Sequence, residues 1–190
     1  MFYHLMKSIL FFIFLFQFSF GQLTNDQLVL KTILSNYYKK EKIVVKDRSQ
    51  LLYLFCNKAN NTAEIFEAIK DKKLPQVFLN EIKTALKQDV SNTNWQADLN
   101  VIYTTDTSKL KQKINTCLDL ALYQNISKKL SLNNQRLMIV SQPIYYSKSN
   151  LALVKVTFYR NIEHNNGVIL LLEKVDGNWV IKEYLNEWAT

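Results

Sequence analysis

Two cysteines are the residues of this 190-residue chain whose type first suggests covalent chemistry. In an oxidising compartment Cys56 and Cys117 can form one disulfide, which closes a loop of about 60 residues and contributes on the order of 4 kcal/mol by loop entropy. Both lie among apolar neighbours, so two buried free thiols fit the sequence equally well. Their spacing is not Cys-x-x-Cys, and it therefore indicates neither thiol redox chemistry nor metal binding.

Histidine and glycine are too scarce for most enzyme signatures. The chain has two histidines, His4 and His164, and three glycines. A two-histidine ribonuclease, a histidine-rich metal site and an HExxH protease are excluded once His4 leaves with the N-terminal leader. The glycine count excludes dinucleotide-binding and phosphate-binding loops and the nucleophile elbow. We expect no cofactor and no metal, and we interpret His164 as an exposed turn residue.

Carboxylates are the remaining candidates for acid-base chemistry. A glutamate that faces a concave apolar pocket can have a raised pKa and act as a base. Alternating charges on neighbouring strands favour instead that these glutamates pair with Lys155, Lys174 and Lys182 on the solvent face. The candidates on the predicted sheet are Glu163, Glu173, Glu183 and Glu187.

Basic residues outnumber acidic ones, and the formal net charge is +8. The densest cluster, a candidate basic contact surface, consists of Lys39, Lys40, Lys42, Lys46 and Arg48. The chain has 21 lysines and only 3 arginines. Because nucleic-acid recognition favours the planar guanidinium of arginine, a solvated surface is the better interpretation than a nucleic-acid site.

Aromatic side chains are candidates for a ligand groove, because aromatic rings with polar tips are common in such sites. More often they complete the core of a small sheet. The candidates are Trp95, Tyr145, Tyr146, Tyr159, Trp179, Tyr184 and Trp188.

The first 21 residues are predicted to be a secretory signal peptide. Lys7 is followed by the 13-residue apolar run Ser8–Phe20, too short to cross a bilayer, and Ser19 and Gly21 suit signal peptidase cleavage. The mature chain is then residues 22–190, one exported domain in the periplasm or outside the cell, with no membrane span.

The first two thirds of the mature chain are predicted to be mainly helical. Helical spacing and capping residues predict helices over Thr24–Tyr38, through Leu51–Phe55, from Asn61, from Pro75, and from Asp106 or Ser108 through Leu122. Short strands are predicted at Ile43–Val45 and Leu99–Tyr103.

The last third has the two-residue period of strands. Four are predicted, Leu137–Tyr146, Leu151–Ile162, Val168–Val175 and Trp179–Trp188, with turns at 147–150, Asn165–Gly167 and Asp176–Gly177. Pro143 predicts an edge or a bulge in the first of them. Val168–Leu172 is apolar on both faces and is therefore predicted to be central.

The ending Leu171–Ile181 resembles the last hairpin of the cone-shaped fold of nuclear transport factor two and ketosteroid isomerase, with a lysine-containing strand, an Asp-Gly turn and a Trp-x-Ile strand. The segments Ser141–Tyr146 and Leu151–Tyr159 resemble small exported bacterial proteins of unknown function. The resemblance implies helices packed on a curved antiparallel sheet. It transfers no catalytic residue, and a helix over Asp106–Leu122 departs from the family's order of elements.

The sequence thus predicts an α+β domain whose helices pack on one face of a C-terminal antiparallel meander. The function we expect is that of a non-enzymatic binding or interaction domain for a protein, a glycan or a small apolar ligand. One alternative is a cone-fold enzyme that uses a buried carboxylate for proton transfer. Another is an inhibitor or immunity protein that contacts an acidic partner through the basic cluster.

Overall fold

The computed structural model describes residues 23–40, 44–45, 48–49, 51–86, 93–105, 117–130 and 135–190. The predicted signal peptide and the predicted caps Asp106 and Ser108 lie outside these ranges. None of the helices within them has the length and apolarity needed to cross a bilayer.

Strands occur along the whole described part of the chain, whereas the described helices all end by Leu130. The helices are α1 (Asn25–Lys40), α2 (Thr62–Ile69), α3 (Gln76–Ala85), α4 (Gln96–Thr105) and α5 (Leu120–Leu130). The strands are β1 (Val44–Val45), β2 (Arg48–Ser49), β3 (Leu51–Phe55), β4 (Cys117–Leu118), β5 (Gln135–Val140), β6 (Ile144–Tyr145), β7 (Leu151–Tyr159), β8 (Asn165–Val175) and β9 (Asn178–Ala189).

Seven of these strands form one mixed sheet in the order β4-β3-β5-β7-β8-β9, with β6 paired to β7 beyond the end of β5. Strand β3 runs parallel to β4 and β5, and the other pairs are antiparallel. The predicted α+β class and the mainly antiparallel sheet are confirmed. The parallel pairs were not predicted, because they join segments far apart in sequence.

Helices cover both faces of the sheet, not the single face that was predicted. On the first face, α1 and α4 pack against alternate residues of the central strands, including Val154, Val156 and Leu170. On the second face, α2 and α3 cover Leu153, Ile169 and other intervening residues, and α5 covers the end of the sheet near Leu137. Two covered faces explain why β8 is apolar on both sides, as its predicted central position requires.

The predicted helix through Leu51–Phe55 is wrong, because this segment is strand β3. Leu52 and Leu54 face the first layer of helices, while Tyr53 and Phe55 pack on the second. A run that is apolar on both faces has no distinguishing period, so helix and strand could not be separated by spacing.

The predicted strand Leu99–Tyr103 is also wrong, because it lies within α4. Trp95, Leu99 and Ile102 are fully buried at spacings of four and three, as one helix face requires. The helix predicted to run through Leu122 is wrong at Cys117–Leu118, which form strand β4. Helix α5 begins only at Leu120. Asp119 caps this later helix, accepting the backbone N–H of Leu122 at 2.6 Å.

The last hairpin is confirmed, and its turn residues Asp176 and Gly177 have φ values of 48° and 80°. The predicted turn at Asn165–Gly167 is wrong, because all three residues lie in strand β8. A Cβ on Gly167 would meet the Trp188 ring at 2.7 Å, so this glycine permits close packing within the sheet rather than a turn. At Pro143, the predicted irregularity is present as the break between β5 and β6.

Candidate ligand-binding cleft

The turn between β7 and β8 is built by side-chain hydrogen bonds at one end of the sheet. The Asn161 carbonyl Oδ1 accepts the backbone N–H groups of Glu163 and His164 at 3.0 and 2.8 Å. The Arg160 N–H donates to the His164 carbonyl at 3.2 Å. Asparagine stabilises turns in this way, and here it holds Arg160 and His164 beside each other.

A first cavity of about 380 Å³ lies against this turn. Its basic lining residues are Arg136, Arg160 and His164, and the described lining is completed by Phe158, two asparagines and residues 189–190. The eight described lining residues include neither aspartate nor glutamate. The cavity therefore presents arginine and amide groups without an acidic side chain of its own among them.

The two arginines come together because β5 and β7 pair antiparallel, with Leu137 opposite Tyr159. The Arg136 guanidinium carbon lies 5.4 Å from the centre of the Phe158 ring. Burial lowers the pKa of Arg136, and the charge of Arg160 lowers it further. Since arginine remains protonated in proteins at neutral pH, two positive charges influence each other at this cavity.

A second cavity, of about 470 Å³, lies beside helix α5. Described residues from α5 and from the end of β7 line it, among them Gln124, Ser127, Lys128, Tyr159 and Glu163. Arg160 lines this cavity as well as the first. We call the two cavities together the Arg160 cleft.

The buried Tyr123 lines the second cavity. Its hydroxyl donates to the Gln135 carbonyl at 3.0 Å and lies 3.4 and 3.3 Å from the carbonyls of Tyr159 and Arg160. Burial raises the pKa of Tyr123 to about 12, and the ring packs edge-on to Tyr159 at 6.0 Å. One buried phenol thus ties α5 to both strands at the cleft.

A separate polar cluster lies at the first turns of α1 and α4. The Lys58 ammonium lies 2.7 Å from Asp26 and 2.9 Å from Asp98, and the Tyr145 hydroxyl donates to Asp26 at 2.6 Å. Burial lowers the pKa of Lys58, but hydrogen bonds and charge from both aspartates outweigh it, so the pKa is raised. The described linings of the two cavities include none of these side chains, and they form an ion-pair network within the fold.

The predicted carboxylate candidates do not converge. Glu173 pairs with Lys182 at 3.0 Å, as the alternating charges predicted, but Lys155 contacts Glu64 and Lys174 bonds to Asn25 instead. Glu163 lies exposed in the lining of the second cavity. Glu183 and Glu187 are exposed on β9.

The aromatic candidates lie partly in the core, partly in the cleft and partly on the surface. Trp95 and Trp179 are buried in the first core layer with Tyr145 against it, whereas Tyr159 lines the second cavity. Of the remaining aromatics, Tyr146 stacks on Phe78, Tyr184 is exposed, and Trp188 covers Gly167. In the predicted basic contact surface, Lys42 and Lys46 lie outside the described residues, and Lys39, Lys40 and Arg48 are described by backbone alone.

Cys56 and Cys117 form a disulfide, with the sulfur atoms 2.02 Å apart. The bond joins the end of β3 to the edge strand β4, and Gln96 accepts the Cys117 N–H at 3.2 Å. It lies in the first core layer, apart from the Arg160 cleft.

Sequence reasoning passed over Arg136 and Arg160, although a signal was present. Two of the three arginines in a lysine-rich chain lie at the start of β5 and just after β7.

Within the described residues, no group of three or more histidine, cysteine, aspartate or glutamate side chains could hold a metal ion. Comparisons with protein-family models, curated proteins and solved structures find no match to this chain. The function proposed below therefore depends on the geometry of the cleft.

Proposed function

We propose that this protein is a non-enzymatic binding domain whose ligand carries a small anionic group, a carboxylate, sulfate or phosphate, held between Arg136 and Arg160. The observation that carries the proposal is that both arginines and His164 line one cavity whose described lining has no acidic side chain. Of the ligand classes expected from the sequence, this lining favours a charged polar ligand over an apolar one.

The chemistry of arginine supports an anionic ligand. A guanidinium offers paired N–H donors that match two oxygens of a carboxylate or phosphate. Arg136 is half-buried and feels the like charge of Arg160. An anion between them would gain charge-assisted hydrogen bonds from both guanidinium groups.

We also propose that the binding domain acts outside the cytoplasm after removal of residues 1–21. The apolar run Ser8–Phe20 followed by Gly21 supports this proposal. The mass of the protein recovered from its native host should correspond to a chain that begins at Gln22. A mass that includes the leader would contradict it.

The anion site can be tested by calorimetric or NMR titration at low salt with phosphate, sulfate and acetate. Arg160→Gln should weaken binding of the preferred anion at least about tenfold, because a hydrogen bond to a charged group contributes about 1.5–3 kcal/mol. Arg160→Lys, which keeps the charge but loses the planar fork, should give an intermediate affinity.

Lys72→Gln is the matched control, because it removes one exposed positive charge away from the described cleft. It should leave anion affinity unchanged. Equal weakening by Lys72→Gln and Arg160→Gln would mean that net charge alone attracts the anion. That result, or the failure of all three anions to bind, would overturn the proposal.

A further inference from the structure

Building on the proposed function, we infer that the ligand is an acidic sugar: its anionic group lies between the arginines, and its polyhydroxylated ring lies beyond Arg160 in the second cavity. The inference rests on the shared position of Arg160, which lines both cavities. A ligand group bound by this guanidinium would therefore lie beside both cavities.

The second cavity offers groups suited to hydroxyls. Gln124 supplies both donors and acceptors, Ser127 supplies a hydroxyl, and Glu163 accepts hydrogen bonds only. Each sugar hydroxyl can donate and accept, so it can use all three kinds of group. The half-buried ring of Tyr159 adds an apolar surface beside these polar groups.

The charges of the two cavities differ, and this difference argues for a ligand that is charged at one end. The described lining of the first cavity has arginines and neither aspartate nor glutamate, whereas the second contains both Lys128 and Glu163. Glu163 there stands against Lys128 and Arg160; it can accept hydrogen bonds from neutral hydroxyls and would repel a second anionic group. A nucleic acid or another polyanion would place negative charge along its whole length and fits this arrangement less well.

The test compares sugar acids with bare anions on the same protein. Glucuronate should bind at least tenfold more tightly than acetate, or glucose phosphate at least tenfold more tightly than inorganic phosphate. The two pairs distinguish a carboxylate from a phosphate ligand. Gln124→Ala should reduce the affinity for the sugar acid severalfold and leave the affinity for the bare anion unchanged.

Asn125→Ala is the matched control, because Asn125 is the exposed neighbour of Gln124 on α5 and is not in the described lining. It should affect neither ligand. If a bare anion binds through Arg160 but the sugar acids bind no more tightly, this inference fails and the anion site stands. If neither kind of ligand binds, the proposed function fails as well.

Discussion

Lys58 forms ion pairs with two helices, through Asp26 of α1 and Asp98 of α4. Its side chain is 9% exposed, and it is paired with carboxylates from the first turns of α1 and α4. It also lies 4.2 Å from the centre of the buried Trp95 ring. One cation therefore balances two acidic groups that are themselves largely withdrawn from water.

Replacing Lys58 tests how much this ion-pair network contributes to the free energy of unfolding. Lys58→Met keeps most of the side-chain volume but leaves Asp26 and Asp98 facing each other without a counter-charge. We expect the free energy of unfolding, measured by urea titration, to fall by on the order of 3 kcal/mol.

Lys70→Met is the control, because Lys70 forms an ion pair with Glu67 at 2.6 Å in which both side chains are well exposed. Surface pairs of this kind contribute little, so the control should change stability far less. Similar losses in the two variants would show that water solvates Asp26 and Asp98 adequately without Lys58.

Gly167 shows how a single residue can give a misleading local signal. Asn-Gly is a strong hairpin signal because such turns need positive φ. Here Gly167 pairs with Trp188 and Thr157 on the neighbouring strands, and the Trp188 ring occupies the space of its missing side chain. The glycine serves packing, and Asn161 builds the turn instead.

At the scale of elements, the edge of the sheet at β4 depends on a covalent bond. Strand β4 has two residues, and both pair with β3. The disulfide joins cysteines 61 positions apart in sequence at this edge. Two paired residues alone form a weak strand, so the disulfide adds a covalent restraint to the hydrogen bonds that hold it.

Removal of the disulfide should therefore lower stability without changing the rest of the sheet. The variant Cys56→Ser/Cys117→Ser should lose up to about 4 kcal/mol in free energy of unfolding, the loop-entropy value for this separation. Urea titration with and without reductant measures it. Reductant should destabilise the native protein by a similar amount and leave the variant unaffected, and a native protein insensitive to reductant would contradict the prediction.

At the scale of the whole molecule, buried tyrosine phenols make the stability of the fold decrease at alkaline pH. Burial is the main cause that raises the pKa of six tyrosines in the described part of the chain, and the pKa of Tyr103 and of Tyr123 reaches about 12. The others are Tyr37, Tyr38, Tyr53 and Tyr145. The raised pKa of Lys58 acts in the same direction.

The direction in which stability changes with pH follows from proton binding. Above pH 10, the ordinary pKa of tyrosine, the unfolded chain releases phenolic protons that the folded chain retains. Stability is fully present below that pH and is lost as the pH rises toward about 12. We expect the tyrosinate absorbance of these six phenols to appear together with the loss of far-ultraviolet circular dichroism, in one cooperative transition. Ionisation of these six phenols near pH 10 in a chain that stays folded would contradict this.

Local sequence signals determined a large part of the fold. The period of two after Leu137 predicted the C-terminal strands, the Asp176–Gly177 turn predicted the last hairpin, and helical spacing predicted α1, α2 and α3. These signals succeed because the side that each residue buries is set by its own chain neighbours. The two apolar faces of β8 likewise predicted its central place.

Only the tertiary structure decided which segments meet. Leu51–Phe55 became a strand because it lies between two chain segments distant in sequence, and helices cover both faces because the sheet is apolar on both. The Arg160 cleft arose in the same way, since Arg136 and Arg160 are 24 positions apart and meet only through the register of β5 and β7. Periodicity records the environment of one element, whereas a binding site depends on the register between elements, which no local pattern contains.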